Sequence, residues 1–236
     1  MKSLKLLLLI VVSINILGCV IPFKYYTNPK YLEAEKKQLK VSILPFEDHR
    51  SEVNRNAEGK LLIPGKLYGF HDYEKIDEID YLFTFQPKID FAKALTNELK
   101  ENELFHEVFF VPNYEPEFVL KLSDSDYHIK GEIRSTRFIR KYFSYGLSVF
   151  GTCLWLFGLP AKQSKIFLSL KIRLIRVNDN KEVWSHDVYG EWKKIIGIYY
   201  NSNRDYDGYV HILKDEYKKL IIKLNEDIKS GILDLD

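Results

Sequence analysis

Cysteine is nearly absent: the 236 residues hold only Cys19 and Cys153. A disulfide-stapled scaffold is thereby excluded, and once Cys19 is modified, as argued below, no intrachain bridge remains. Stability has to come from packing. Basic runs are missing too. The formal net charge is +2, and Lys2 and Lys5 account for both charges, leaving the rest near neutral. A nucleic-acid protein normally carries a basic stripe, so nucleic acid is not an expected partner. The chain shows no P-loop, dinucleotide glycine set, nucleophile elbow or zinc spacing, and no internal repeat. No catalytic residue, metal or cofactor is therefore expected, and the chain reads as non-enzymatic. An active site built from separated residues such as Asp48, His49 and His71 would need a cleft that gathers them.

What is present first is a leader. Lys2 and Lys5 precede Leu6-Leu-Leu-Leu-Ile-Val-Val12, a basic start and a short apolar region of the secretory type. A spanning helix would need about 20 apolar residues. The ending Ile16-Leu17-Gly18-Cys19 resembles the bacterial lipoprotein box, which implies cleavage before Cys19 and attachment of lipid to it. Residues 1–18 are then the signal peptide. Each buried methylene adds about 0.8 kcal/mol of membrane affinity, so several acyl chains on one cysteine hold a protein stably at a bilayer. Position 20 is Val rather than Asp, and the enterobacterial sorting rule it resembles directs such proteins to the outer membrane, facing the periplasm.

Residues 19–39 read as lipid anchor and tether, with two prolines and no clean period. A single αβ domain is expected over 40–236. Hydrophobic residues at 46% and aromatics at 14% suffice for its core. Val41 and Ile43 predict a buried strand that Pro45 ends. Residues 47–90 are long, polar and irregular for a loop in a compact domain. Asp48, His49, His71 and Asp72 lie there at no recognised ligand spacing. The spacing of Phe91, Leu95 and Leu99 predicts a helix over 89–102 with Asp90 as N-cap. A strand over 107–111 follows, so strand, helix and strand imply a parallel pair. Strict alternation then predicts long strands from Tyr127 and from Leu168, with Ile129, Ile133, Leu170, Ile172 and Leu174 inward. Val177-Asn-Asp-Asn-Lys181 closes a hairpin into Val183–Trp192. Tyr209, Leu213, Tyr217, Leu220, Ile221 and Leu224 mark a last helix, entered through Asp205 or Asp207 as N-cap and ended by Gly231. Asn203 to Gly208 opens like a calcium loop, but its twelfth position is Lys214, which cannot ligate. The fold class expected is α+β: a mixed sheet beginning β-α-β, then long antiparallel strands with an apolar insertion, and a C-terminal amphipathic helix packed on the sheet.

The insertion, 143–160, holds no charged residue. As a helix its 17-residue apolar core would reach about 26 Å, against roughly 30 Å of bilayer hydrocarbon. Three readings stay open: a buried element, an exposed surface meeting lipid or another subunit, or a true span. The residues for membrane or partner contact are Tyr145, Leu147, Val149, Phe150, Leu154, Trp155 and Phe157. Lys141 and Lys162 bracket them.

Several segments together look like one family: the lipobox, Val41-Ser-Ile-Leu-Pro-Phe-Glu-Asp48, Leu104-Phe-His-Glu-Val108, Asp126-Tyr-His-Ile-Lys-Gly-Glu-Ile133, Leu168-Ser-Leu-Lys-Ile-Arg-Leu174 and Lys181-Glu-Val-Trp184. Their order resembles periplasmic lipoproteins with an αβ domain like that of curli-secretion CsgG or the N-terminal domain of TolB. It is similar to members whose insert reads as Gly146-Leu-Ser148, Gly151, Leu154-Trp155 and Gly158-Leu-Pro160. The resemblance implies a lipid-anchored envelope protein that binds protein partners as an accessory to transport or envelope assembly. CsgG-like proteins build a secretion pore from such inserts, which gives a second expectation: an oligomeric, membrane-inserting lipoprotein using residues 143–159. This insert lacks the alternating pattern of a transmembrane hairpin. The expected partners are the membrane through lipidated Cys19, an envelope protein, and further copies of the same chain.

Overall fold

The fold is organised on two strands of 15 residues each, joined by the hairpin at 177–181. The computed structural model describes residues 21–52, 54–56, 70–75, 83–112, 124–147, 150–201, 205 and 207–233. In chain order the strands are β1 (Ile21–Pro22), β2 (Lys37–Ile43), β3 (Glu47–Asp48), β4 (Asn54–Asn56), β5 (Phe70–Tyr73), β6 (Phe83–Thr84), β7 (Phe105–Phe110), β8 (Tyr127–Ser135), β9 (Phe138–Tyr142), β10 (Lys162–Arg176) and β11 (Glu182–Ile196). The helices are α1 (Pro87–Glu101), α2 (Gly151–Leu156) and α3 (Asp207–Lys229).

Nine of the described strands form one mixed sheet, and β10 is where it forks. One edge of β10 pairs along its length with β11. The other edge is shared: Lys162–Ile166 pair with β9, and Ser169–Arg176 pair with β8. Beyond β9 lie β5 and β4; beyond β8 lie β2 and then β7, both parallel to it or to each other. The fork sits at Thr136, fully buried between β8 and β9. Its hydroxyl accepts from Arg50 Nη1 at 2.9 Å and its carbonyl accepts from the Tyr209 hydroxyl at 2.7 Å. Burial of both partners in an apolar surround makes these bonds stiff, because their loss would strand polar groups away from water.

The alternation read from the sequence holds residue by residue. Tyr127, Ile129, Ile133, Leu168, Leu170, Ile172 and Leu174 are buried, and the residues between them in β8 and β10 are half-buried apart from the buried Gly131, with Arg134 exposed and Ile175 buried at the strand ends. The inward face carries α1 and α3, which also touch each other. Phe91, Leu95 and Leu99 of α1 meet Tyr209, Leu213, Tyr217, Leu220 and Leu224 of α3 in one hydrophobic core. Two fully buried tyrosines stay satisfied there, Tyr217 by donating to the Phe91 carbonyl at 3.1 Å.

Several boundaries differ from expectation for identifiable reasons. Helix α1 starts at Pro87, not Ile89: proline fits the first turn, where its missing N–H is no loss. Asp90 is therefore not the N-cap but lies in the first turn, where its carboxylate accepts the Gln86 N–H at 2.7 Å. Strand β11 continues to Ile196 because its ladder with β10 continues to Lys162. Residues 21–36, read as a loose tether, lie on the domain: Phe23, Tyr25 and Tyr31 pack against the core.

Candidate functional site

Two places on the molecule bear on function, and they arise from different physics. The first is the end of the sheet where β9 stops, β10 starts and β11 stops. The insertion emerges there as a turn, the six-residue α2 and a second turn. Gly146 and Gly158 take positive φ of 78° and 86°, which side chains with a Cβ rarely adopt. The root of the insertion is fastened by polar and aromatic contacts: Trp155 Nε1 donates to the Phe143 carbonyl at 2.8 Å and its ring stacks on Tyr142. The Tyr145 hydroxyl donates to the Pro160 carbonyl at 2.6 Å.

The rest faces outward. Phe150 and Phe157 are 77% and 79% exposed, Leu147 50% and Tyr145 40%; Trp155 and Leu154 are half-buried. Val149 and Cys19 lie outside the described residues. The buried-element reading of the insertion is therefore overturned at Phe150, Leu156 and Phe157, which no other part of the fold covers among the described residues. Helix α2 is far too short for a span, and no described helix is long and apolar enough to cross a membrane. A second apolar segment joins the insertion. Ile195, Ile198 and Tyr199, at and beyond the end of β11, are also exposed, and the Tyr199 hydroxyl donates to the Leu156 carbonyl at 3.0 Å. The signal for it was readable as Ile195-Ile-Gly-Ile-Tyr-Tyr200, an uncharged stretch directly after Lys193-Lys194.

Beneath this end lies a buried ion cluster. The Asp205 side chain is 2% exposed and its Oδ2 accepts from Arg140 Nη2 at 2.5 Å and from Lys162 Nζ at 3.1 Å. The expectation that Asp205 or Asp207 caps α3 is thus corrected: Asp207 is the first residue of the helix, and only the backbone carbonyl of Asp205 serves the helix start, accepting from Gly208 N–H at 3.3 Å. Two cations outbid the helix N-terminus for a single carboxylate, since charge-assisted bonds are the stronger. The same engagement takes up Asp205 Oδ2, while Asn203, which opens the calcium-like stretch, lies outside the described residues.

The second place is a cleft of about 440 Å³ at the C-terminal ends of β2 and β7 and the N-terminus of α1, lined by Asp48, Arg50, Lys75, Phe85, Gln86 and Lys88 among others. Arg50 clamps Asp48 through two parallel bonds of 2.8 Å. That guanidinium holds the Asp48 carboxyl down to about 2. A group so far from neutrality is a poor proton shuttle, which requires a pKa near the working pH. Asp48 is a structural anion here. His49 and His71 do not join it: His49 lies near Glu47 and Glu132 on the open sheet face, and His71 sits on β5 against Tyr73 and Tyr142. Asp72 pairs with Arg137 in a bidentate bond of 2.8 Å. Glu47, His49 and Glu132 offer ligand atoms within 4.8 Å of one another, but Arg173 lies 2.7 Å from Glu132 and 3.8 Å from Glu47. The guanidinium occupies the role a cation would have.

The Asp48 clamp predicts an acid sensitivity. Its folded pKa is depressed from 3.8 to about 2, so its contribution is fully present above the unfolded value and is lost as pH falls through the folded one. Unfolding titrations should lose about 2 kcal/mol on this account between pH 5 and pH 2. The Asp48→Asn variant should lack that component of the pH dependence while being less stable at neutral pH.

The architecture defines the class as an α+β protein with helices on one face of a forked mixed sheet. No family model matches the chain, and no curated protein matches it. Solved structures of similar course exist. A DUF330 protein from Xanthomonas campestris aligns with a TM-score of 0.45 at 11% identity, covering 89% of this chain and 99% of its own. The PelC dodecamer from Paraburkholderia phytofirmans, in space group P6, gives a TM-score of 0.38 at 10% identity, covering 81% and 91%. A neuraminyllactose-binding hemagglutinin homolog from Helicobacter pylori gives 0.38 at 11%, covering 87% and 94%. Likenesses this distant say nothing of function.

Proposed function

We propose that this chain is a lipid-anchored bacterial envelope protein, held through Cys19 at the outer membrane and facing the periplasm. Its αβ domain serves as a non-enzymatic, protein-binding accessory in transport or envelope assembly. The observation that carries the anchoring is the order of a basic start, a short apolar region and Ile16-Leu17-Gly18-Cys19. The docked tether supports it, because residues 21–36 begin two positions after that cysteine, and Phe23, Tyr25 and Tyr31 among them pack against the core. Partner binding draws support from β11, whose outer edge has no strand partner among the described residues over 15 residues. Such an edge is a template for strand addition by another chain. The alternative, an oligomeric membrane-inserting protein using 143–159, is less well supported because α2 has six residues, about 9 Å of helix.

Anchoring is tested in cells supplied with a palmitate analogue that can be tagged. The native chain should take up the label and fractionate with membranes. Cys19→Ser should lose the acyl label. Equal labelling of the two would overturn the assignment.

A further inference from the structure

The anchor sequence and the apolar end of the sheet were found independently, yet the described part of the tether, followed back toward Ile21, runs toward that end of the molecule. Tyr31 lies under Lys218, Asn28 Nδ2 donates to the Lys214 carbonyl at 3.0 Å, and Phe23 packs on Phe85 and Phe91. Phe85 in turn stacks on Tyr209 at 5.3 Å. Followed backward, the tether thus climbs α3 from Lys218 to Tyr209, toward its N-terminus. That terminus is the insertion end: Gly208 sits against Trp192 and Ile166, and Asp205 just before it is bound to Lys162, where the insertion rejoins the sheet. Ile21, the first described residue, is two positions from Cys19.

From this juxtaposition we infer that the apolar end is a docking surface for the lipid bilayer itself, engaged by the insertion together with residues 195–200; the inference rests on the anchoring proposed above. Phe150 and Phe157 alone, each more than three-quarters exposed, offer about 300 Å² of aromatic surface. With Leu147, Leu156, Ile198 and Tyr199 the patch exceeds the few hundred Å² that soluble monomers ordinarily leave bare. Charge agrees. Residues 142–161 and 195–203 contain no Asp, Glu, Lys, Arg or His, and apart from Lys162, which Asp205 holds, the charges that border them in sequence are Lys141, Lys193, Lys194 and Arg204. Asp205, close by, is neutralised internally by Arg140 and Lys162. An uncharged apolar surface edged by cations fits acyl chains below and anionic headgroups around. The short α2 and its turns dip in without crossing. A single lipidated residue would leave the domain free to tumble; a second contact on the same end fixes one face to the membrane and turns the hairpin at 177–181 away from it.

Cys153, exposed on α2, gives a direct probe, because it is the only thiol left when Cys19 is acylated. The full lipidated chain is labelled there with a nitroxide and reconstituted into phosphatidylethanolamine–phosphatidylglycerol vesicles. Collisions with dissolved oxygen and with an aqueous nickel chelate are then compared. The inference expects most access of the chelate to be lost and oxygen collisions to rise. The variant Leu147→Ser/Phe150→Ser/Phe157→Ser, which changes exposed residues only, should keep its melting temperature and regain chelate access. Undiminished chelate access in vesicle-bound native protein overturns the inference, as does a spin–spin broadening that marks a second copy covering the patch. Failure of the anchoring itself is a separate outcome: the protein would then not float with the vesicles.

Discussion

Asp205→Asn is expected to destabilise the protein by about 3–5 kcal/mol, the range found when one partner of a buried ion pair is removed. The Asp205 carboxylate is almost wholly buried and neutralises both Arg140 and Lys162, whose side chains are themselves mostly covered. Without it, two mostly covered cations are left against the same pocket with no carboxylate between them. Screening by salt cannot rescue them, because counter-ions do not enter a covered site. Urea titration should show a lower midpoint with an unchanged slope, the pattern of a stability loss without a change in the surface exposed on unfolding. A loss under 1 kcal/mol would mean that the cluster is solvated like a surface pair. Pairing Asp205→Asn with Arg140→Met in a double-mutant cycle should recover part of the loss, since the stranded charge goes with its partner.

Glu98→Ala should free the tether. Glu98 is 0% exposed, and its carboxylate accepts from the Tyr25 hydroxyl at 2.7 Å, the Asn28 N–H at 2.8 Å and the Tyr31 hydroxyl at 3.5 Å. Bonds to a charged acceptor contribute about 1.5–3 kcal/mol each when intact. The measured loss should nevertheless be local, because the tether can peel off and return its donors to water instead of leaving them stranded. Limited proteolysis should therefore cut between residues 24 and 36 in the variant and spare the native chain, while cooperative unfolding of the sheet shifts by only about 2 kcal/mol. Alkali should act likewise. Burial first, and then Glu98, raise the Tyr25 hydroxyl far above its ordinary value. Its contribution is present below the unfolded pKa and is lost as pH rises beyond about 10, so tether release should set in there. In the lipidated protein, release would uncouple the anchor from the domain and lower the protection of Cys153.

Much of the architecture was legible because it rests on local periodicity. The alternation through Tyr127–Ile133 and Leu168–Leu174 and the stripe from Tyr209 to Leu224 each specify a buried face without reference to the rest of the chain. What stayed hidden depends on long-range partners. Residues 21–36 have no period and two prolines, so nothing local reveals that Tyr25 and Asn28 meet a carboxylate some 70 positions on. Asp205 looked like a helix cap because a cap is a local device; its true partners, Arg140 and Lys162, are brought to it only by the sheet. The fork of β10 was invisible for the same reason, since one strand edge served by two successive partners leaves the alternation unbroken. At the candidate site, the composition of 143–160 pointed to an apolar element but could not say whether it was covered. Only the turn geometry set by Gly146 and Gly158, and the uncharged stretch after Lys194, explain why it is not.

An end of the molecule that faces the bilayer, as proposed above, should be recognisable by its slowed exchange. Hydrogen–deuterium exchange on the lipidated chain in vesicles tests it across the whole sequence at once. The native protein should exchange much more slowly in 145–159 and 195–200 than the Leu147→Ser/Phe150→Ser/Phe157→Ser variant, with the turn at 177–181 exchanging equally fast in both. Equal exchange of the two apolar segments in native and variant protein, or protection centred on the 177–181 turn, would rule out a bilayer contact at this end.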